Sequence, residues 1–274
     1  MLRLESVSYR YAGAARPSLH DVTLELGDGE VVGLVGASEA GKTTLCLVAA
    51  GLAPRVVGGT LRGRLLLNGN DLADEPMHAL VGRVSIGFQN PTTQLSGVAT
   101  TVFEEVAFGP MNLGVPRDEL LDRTWSALAT LRIEALAKRN PARLSGGQQQ
   151  LVAMAGLLAM RPRHLILDEP TAQLDPAGTQ LVRDAIALLA AGGASILVAE
   201  HKTDLLARVA ARVVAIDAGR IVLDGSAGEV LADPQLRQLG VAEPAATRLL
   251  RLAGEGGLGD AAQRRLATVL TVGT

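Results

Sequence analysis

The stretch GASEAGKTT, residues 36–44, holds Gly36, Gly41, Lys42 and Thr43 in the spacing G-x-x-x-x-G-K-[ST]. Two glycines so placed let the backbone curl until its N–H groups converge, and a phosphate chain can accept from them together. Ala37, Ser38, Glu39 and Ala40 form the loop between the glycines, and Thr44 completes the set. A helix starting here adds the positive end of its dipole. Lys42 is expected to bridge the outer phosphates of a nucleotide and Thr43 to offer its hydroxyl to Mg²⁺. A second device is HLILDEPTAQLD, residues 164–175, in which Asp168 and Glu169 end an apolar run. Paired carboxylates at the C-terminal end of a buried strand stand where α/β sheets bind ligands. Asp168 is placed to hold Mg²⁺, directly or through water, and Glu169 to orient or deprotonate an attacking water.

LSGGQQQ, residues 144–150, opens an apolar helix. Ser145, Gly146, Gly147 and Gln148 place a hydroxyl and bare backbone amides at its N-terminus. That is an anion-binding arrangement and equally an ordinary N-cap. Gln89 follows the apolar run VSIGF, and His201 ends SILVAEH. Of the four histidines only His201 ends a core strand in this reading. His20, His78 and His164 read as surface or turn residues.

These groups need elements to position them. LRLESVSYRY and SLHDVTLEL alternate apolar and polar residues and read as antiparallel strands. VVGLVG, HLILDEP and ASILVAEH are short apolar runs that read as buried strands, with helices after them. Residues 91–161 are mostly helical in pattern, and RVVAIDAGRIVLDG is a hairpin. The expected fold is therefore α/β: a phosphate-loop core, an antiparallel β subdomain at the N-terminus and an inserted α-helical subdomain. Residues 1–225 form the nucleotide-binding domain and 226–274 a helical, alanine-rich extension with a flexible GEGGLGD near its end.

The 274 residues are 48% apolar, enough for a sizeable core, and only 2% aromatic. With a net charge of −2, that composition argues against a stacking or basic nucleic-acid surface, so no nucleic-acid partner is expected. The single cysteine, Cys46, permits no internal disulfide. Mean hydropathy is high at +0.26. The most apolar stretch, residues 185–199, is too short to span a bilayer and is split by Gly192-Gly193.

The order of the motifs is more specific than any one of them. The phosphate loop, Gln89, LSGGQ, Asp168-Glu169, Asp175 and His201 occur in the sequence of the ATP-binding cassette (ABC) ATPases, and residues 1 to about 225 resemble that family. The resemblance implies ATP and Mg²⁺ as cofactors. It implies that Tyr11, or less favourably Tyr9, stacks on adenine, and that Gln89 reaches Mg²⁺ and the attacking water. It further implies that His201 contacts the γ-phosphate and that Asp175 lies at a dimer interface. Two subunits, identical or paralogous, would sandwich two ATP molecules, LSGGQ of one capping the phosphates held by the other. FQNPTTQLSGVATTVFEEVAFGPMNLG, residues 88–114, resembles the energy-coupling factor branch of importers. That branch implies a transmembrane scaffold subunit, docked in a groove near Gln94 and Phe103 to Phe108, and a separate membrane protein that captures a vitamin or a metal ion. The chain itself would be peripheral, at the cytoplasmic face of the membrane.

Two rivals bear on the motifs. DPAG and HKTD mimic GTPase signatures, but Asp168, not Asp175, ends the strand. A soluble cassette ATPase of DNA repair or translation type stays open. Glu39 departs from the family, which usually has glycine there. A carboxylate about 4 Å from one phosphate charge costs on the order of 1 kcal/mol in water and about 4 kcal/mol at an effective dielectric near 20. Glu39 is therefore expected to point out of the loop, toward solvent or the opposing subunit.

Overall fold

The computed structural model describes residues 1–73, 75–80 and 82–255. β1 (Leu2–Arg10) pairs antiparallel with β2 (Leu19–Leu26). Ser6 adopts φ 47° where the register shifts, and this bulge switches the inward residues from Leu2 and Leu4 to Val7 and Tyr9. β3 (Val31–Val35) is buried along its whole length and feeds the phosphate loop and α1 (Lys42–Ala49). β4 (Thr60–Leu67) and β5 (Asn70–Asp71) complete a four-stranded antiparallel sheet in the order β2-β1-β4-β5. The short α2 (Met77–Leu80) precedes β6 (Val84–Gly87).

The expected helical section contains α3 (Val102–Asn112), α4 (Arg117–Thr130) and α5 (Gly146–Met160), with α3 and α4 both packed on α5. Then come β7 (His164–Asp168), α6 (Pro176–Ala191), β8 (Ser195–Ala199), α7 (Thr203–Val209) and the hairpin β9 (Arg212–Asp217) and β10 (Arg220–Ser226). The second sheet runs β10-β9-β3-β8-β7-β6. Its strands are parallel except β10. β3, β7 and β8 are wholly buried, as continuous apolar runs covered on both faces must be. All five parallel strands therefore point their C-terminal ends the same way, and the motif loops leave from that edge.

The tail forms α8 (Ala227–Ala232), α9 (Pro234–Gln238) and α10 (Ala245–Glu255). It is tied back to α7: the Thr203 hydroxyl donates to the Ala242 carbonyl at 2.9 Å, and Asp204 accepts from the Ala245 N–H at 2.8 Å. The first two residues of GEGGLGD end α10, and the rest of that stretch lies outside the described residues. The apolar stretch at 185–199 divides as its glycines predict, with Gly192 capping α6 before β8 begins. Among the described residues, no helix is long and apolar enough to cross a membrane.

Two histidines differ from expectation. His164 is a buried residue at the start of β7, not a surface one, and His20 lies within β2. His164 is covered by the first turn of the core, where Asp28 stands 4.0 Å from its Nε2 and its Nδ1 is 3.4 Å from the Arg83 carbonyl. Burial pushes its pKa down. His78 falls in α2.

Candidate active site

At the C-terminal edge of the parallel sheet a cleft of about 350 Å³ is lined by Ser18, Ser38, Glu39, Gly41, Lys42, Thr43, Thr44, Gln89, Glu169 and His201. Tight packing explains the loop's glycines. A Cβ at Gly36 would lie 2.4 Å from the Ile216 carbonyl, and Gly41 adopts φ 112° as the N-cap of α1. The Gly219 N–H donates to the Ala40 carbonyl, which fixes the loop's outer arm on the β9–β10 turn. Ala40 is buried, Ala37 half-buried, and Ser38 and Glu39 are exposed. Glu39 adopts φ 65°, a conformation natural to glycine and strained for other residues. It is exposed, as expected, yet it also borders the cleft.

Lys42 is buried and donates to the carbonyls of Gly36 at 3.0 Å and Ala37 at 2.9 Å. Burial lowers its pKa, while Glu169 and Asp168 oppose that shift. The ammonium is thus held across the loop's mouth by neutral oxygens that a phosphate oxygen can replace. Asp168 ends β7 and is 4% exposed. Burial pushes its carboxyl up, against the opposing pull of the Thr43 hydroxyl and of Lys42. Its Oδ1 is buried without a hydrogen-bond partner among the described residues. An orphaned carboxylate oxygen beside a threonine hydroxyl is the donor set that Mg²⁺ uses when phosphates and waters supply its other ligands. Thr43, Asp168 and the reachable Gln89 therefore fit a Mg²⁺ ion.

Glu169 adopts φ 49°, and its N–H donates to the Ala199 carbonyl at 2.9 Å. This strained conformation turns its side chain into the cleft. Both carboxylate oxygens are engaged: Oε1 by His201 Nε2 at 2.8 Å, and Oε2 by the Gln89 amide, which donates at 2.7 Å. The three residues proposed from sequence for the chemistry meet at one carboxylate, although they lie on three different connections of the sheet.

Tyr11 is half-buried; its hydroxyl is 3.1 Å from Thr44 Oγ1, and its ring packs edge-on to Tyr9 at 4.9 Å. Tyr9 is fully buried, with its hydroxyl donating to the Gly58 carbonyl at 2.5 Å, and neither tyrosine lines the phosphate cleft. Ser145 N-caps α5 and shares a capping box with Gln148: Ser145 Oγ accepts from the Gln148 N–H at 3.3 Å, and Gln148 Oε1 from the Ser145 N–H at 3.2 Å. Asp175 N-caps α6, accepting from the Gly178 N–H at 2.7 Å. Neither Asp175 nor residues 145–148 line the phosphate cleft.

A second cleft, about 290 Å³, lies between β6, α3 and α5, lined by Ser85, Gln94, Glu105, Phe108, Val152 and Met160 among others. Gln94 accepts from the Phe88 N–H at 3.1 Å, which braces the segment carrying Gln89. Phe103 instead turns to Trp125, ring centroids 5.1 Å apart, and packs on the core. Of the expected Phe103 to Phe108 groove, Glu105 and Phe108 line the cleft and Phe103 does not. The reason is helical spacing, since residues five apart on α3 face different ways.

Residues 19–172, more than half of the chain, match the family model described as ABC transporter. The chain belongs to the ABC transporter family. Within that family it is 41% identical to a relative in Methanosarcina acetivorans named for ABC-transporter ATP binding, over 92% of this chain and 41% of that protein. This ABC transporter family member thus spans about two fifths of the length of the first relatives it matches. It spans most of others: it is 39% identical to the energy-coupling factor transporter ATP-binding protein EcfA of Methanosarcina acetivorans, covering 91% of this chain and 88% of that one. Its fold superimposes on that of cbiO1 from Clostridium perfringens, described as part of the ABC transporter complex cbiONQ, with a TM-score of 0.73 and 30% identity, covering 91% of this chain and 98% of that one.

Glu200 and Lys202, on either side of His201 in this ABC transporter family member, were not singled out by sequence. Glu200 is buried and bonded to Thr171, Lys202 is exposed and bonded to the Thr171 carbonyl, and a carboxylate directly after an apolar run was the available signal.

Proposed function

We propose that this chain binds and hydrolyses ATP as the peripheral, cytoplasmic-face subunit of an energy-coupling factor type importer for a vitamin or a transition-metal ion. The observation that carries the reading is Glu169, a carboxylate aimed into the phosphate cleft and held by both Gln89 and His201. The likeness to EcfA favours the importer branch.

In this reading the phosphates of ATP take the N–H groups of residues 36–43, and Lys42 leaves the carbonyls of Gly36 and Ala37 for the outer phosphates. Thr43, Asp168 and Gln89 would hold Mg²⁺, which when bound neutralises charge on those phosphates. Glu169 accepts a proton from water, whose oxygen bonds to the γ-phosphorus as the bond to the bridging oxygen breaks, leaving ADP and phosphate. His201, released from Glu169, contacts the γ-phosphate, and Tyr11 stacks on adenine. Ser145, Gly146, Gly147 and Gln148 cap the ATP of a second subunit, identical or paralogous, with Asp175 at the interface. The cleft of Gln94, Glu105 and Phe108 receives a transmembrane scaffold subunit, and a further membrane protein captures the cargo.

The test has two arms. The purified chain should hydrolyse ATP with Mg²⁺, and detergent-extracted membranes should yield it together with a multi-spanning scaffold protein. Extracted membranes that yield no such partner, while the purified chain hydrolyses ATP, would sink the importer reading; a purified chain that neither binds nor hydrolyses ATP would sink both.

A further inference from the structure

Residues 200–202 form a turn whose flanking side chains are more tightly bound than His201 between them. Glu200 is 2% exposed. Its Oε2 accepts from the Thr171 hydroxyl at 2.7 Å, and its Oε1 from the N–H groups of His201 at 2.9 Å and Lys202 at 3.2 Å. Lys202 Nζ reaches back across the same gap and donates to the carbonyls of Thr171 at 2.9 Å and Leu174 at 3.4 Å and to the Thr179 hydroxyl at 3.1 Å. Together with the Glu169–Ala199 backbone bond, these contacts join the turn to residues 171–179 along its whole length.

The far side of that segment touches α5. The Gln173 amide oxygen lies against Gly146, where a Cβ would stand only 2.5 Å from it, and the Gln173 carbonyl faces Gly147. On either side of His201, Glu200 and Lys202 make hydrogen bonds to Thr171 and Leu174, and Gln173, between those two in the chain, lies against the N-terminus of α5.

We infer that Glu200 and Lys202 are positioning residues that make the turn carrying His201 and the segment carrying Gln173 and Asp175 move as one body. A change at the His201–Glu169 contact in one phosphate cleft then shifts the residues placed against Gly146 and Gly147. In the function proposed above those glycines serve the other ATP, and the inference rests on that reading for this last step. A charged side chain with two carbonyls of the 171–174 turn and a hydroxyl of α6 as acceptors resists separation more than apolar packing does, because leaving them costs hydrogen bonds to a charge.

Hydrogen exchange of the full chain with and without ATP and Mg²⁺ tests this, alongside steady-state hydrolysis. In the unsubstituted chain, protection should appear together at residues 36–44, 171–179 and 200–206. Lys202→Met should keep protection at 36–44 and lose it at 171–179, with kcat about tenfold lower and KM within about threefold. Lys202→Arg should restore both readouts. Thr179→Ala, which removes one acceptor, should show a smaller effect of the same kind should Lys202→Met fail to fold. Joint protection and unsubstituted kcat in Lys202→Met would overturn the inference, as would a Lys202→Arg chain equally impaired. Absence of protection at 36–44 in the unsubstituted chain would overturn the ATP reading itself, and this inference with it.

Discussion

His201 Nε2 stands 2.8 Å from Glu169 Oε1, while the Gln89 amide occupies the other oxygen of the same carboxylate. The group placed to accept a proton from water is thereby bonded to the two residues whose proposed partners are the γ-phosphate and Mg²⁺. In the proposed function, triphosphate entering the cleft would compete for His201 and Gln89, and Glu169 would gain a free oxygen only as they leave it. Readiness of the base would then depend on the presence of the substrate.

Glu169→Gln should therefore bind ATP within a few-fold of the unsubstituted chain while turnover falls by about 10²–10⁴, the usual contribution of a positioned base. Equilibrium binding of a fluorescent ATP analogue and a phosphate-release assay measure the two quantities. Turnover near that of the unsubstituted chain would remove Glu169 from the chemistry.

Asp168→Asn replaces the orphaned buried oxygen by an amide at nearly the same volume. Because a buried charged carboxyl with one oxygen unpartnered is costly, the variant should be as stable as the unsubstituted chain or slightly more so. Its need for Mg²⁺ in ATP hydrolysis should rise by tenfold or more, about 1.4 kcal/mol of lost metal interaction. A Mg²⁺ titration at fixed ATP is the measurement; an unchanged midpoint would contradict the metal role.

Glu39→Gly brings two opposing terms at a residue with φ 65°. Relief of left-handed strain is worth about 1 kcal/mol, and the added freedom of glycine in the unfolded chain takes back about 0.5–1 kcal/mol. Thermal stability should consequently change little. Removing an exposed negative charge from the rim of the phosphate cleft should raise ATP affinity by about two- to threefold, less at high salt. A gain of a hundredfold would mean that Glu39 turns onto the phosphates.

His164 supplies a pH dependence. Its pKa is lowered below the ordinary 6.5 by burial, so below that pH the unfolded chain binds a proton that the folded chain resists. Stability is then full above pH 6.5 and falls as acid carries the chain down toward the folded pKa. Urea midpoints measured from pH 7.5 to 5.5 should drop, and His164→Leu should flatten that part of the slope. An identical slope in the variant would assign the acid sensitivity to other groups.

Much of the site was legible because its signals are local. The Gly36–Thr43 spacing demands a strand before it and a helix after it, and the run ending at Asp168 is too apolar to be anything but a buried strand. Ser145 and Gln148 could be read as a helix start from four residues. Where reading failed, a tertiary neighbour decided. Tyr9 sits within β1 on the inward face that the bulge at Ser6 sets, while Tyr11 lies just past the end of that strand and stays half-buried. His164 looked like a turn residue until the N-terminal end of the sheet closed over it. Phe103 and Phe108 share one helix but face different ways, Phe103 toward Trp125 and Phe108 into the cleft.

The sequence by itself determined the strands, the anion-binding loop, the carboxylate pair and their order, since each rests on period, glycine placement and capping within a dozen residues. Only the tertiary structure decided that Gln89, Glu169 and His201, separated in sequence, meet at one carboxylate, and that Glu200 and Lys202 lock the turn between them to residues 171–179. The reason is the parallel sheet: strands distant in the chain lie side by side there, so the residues just past their ends become neighbours, a proximity that no local pattern encodes.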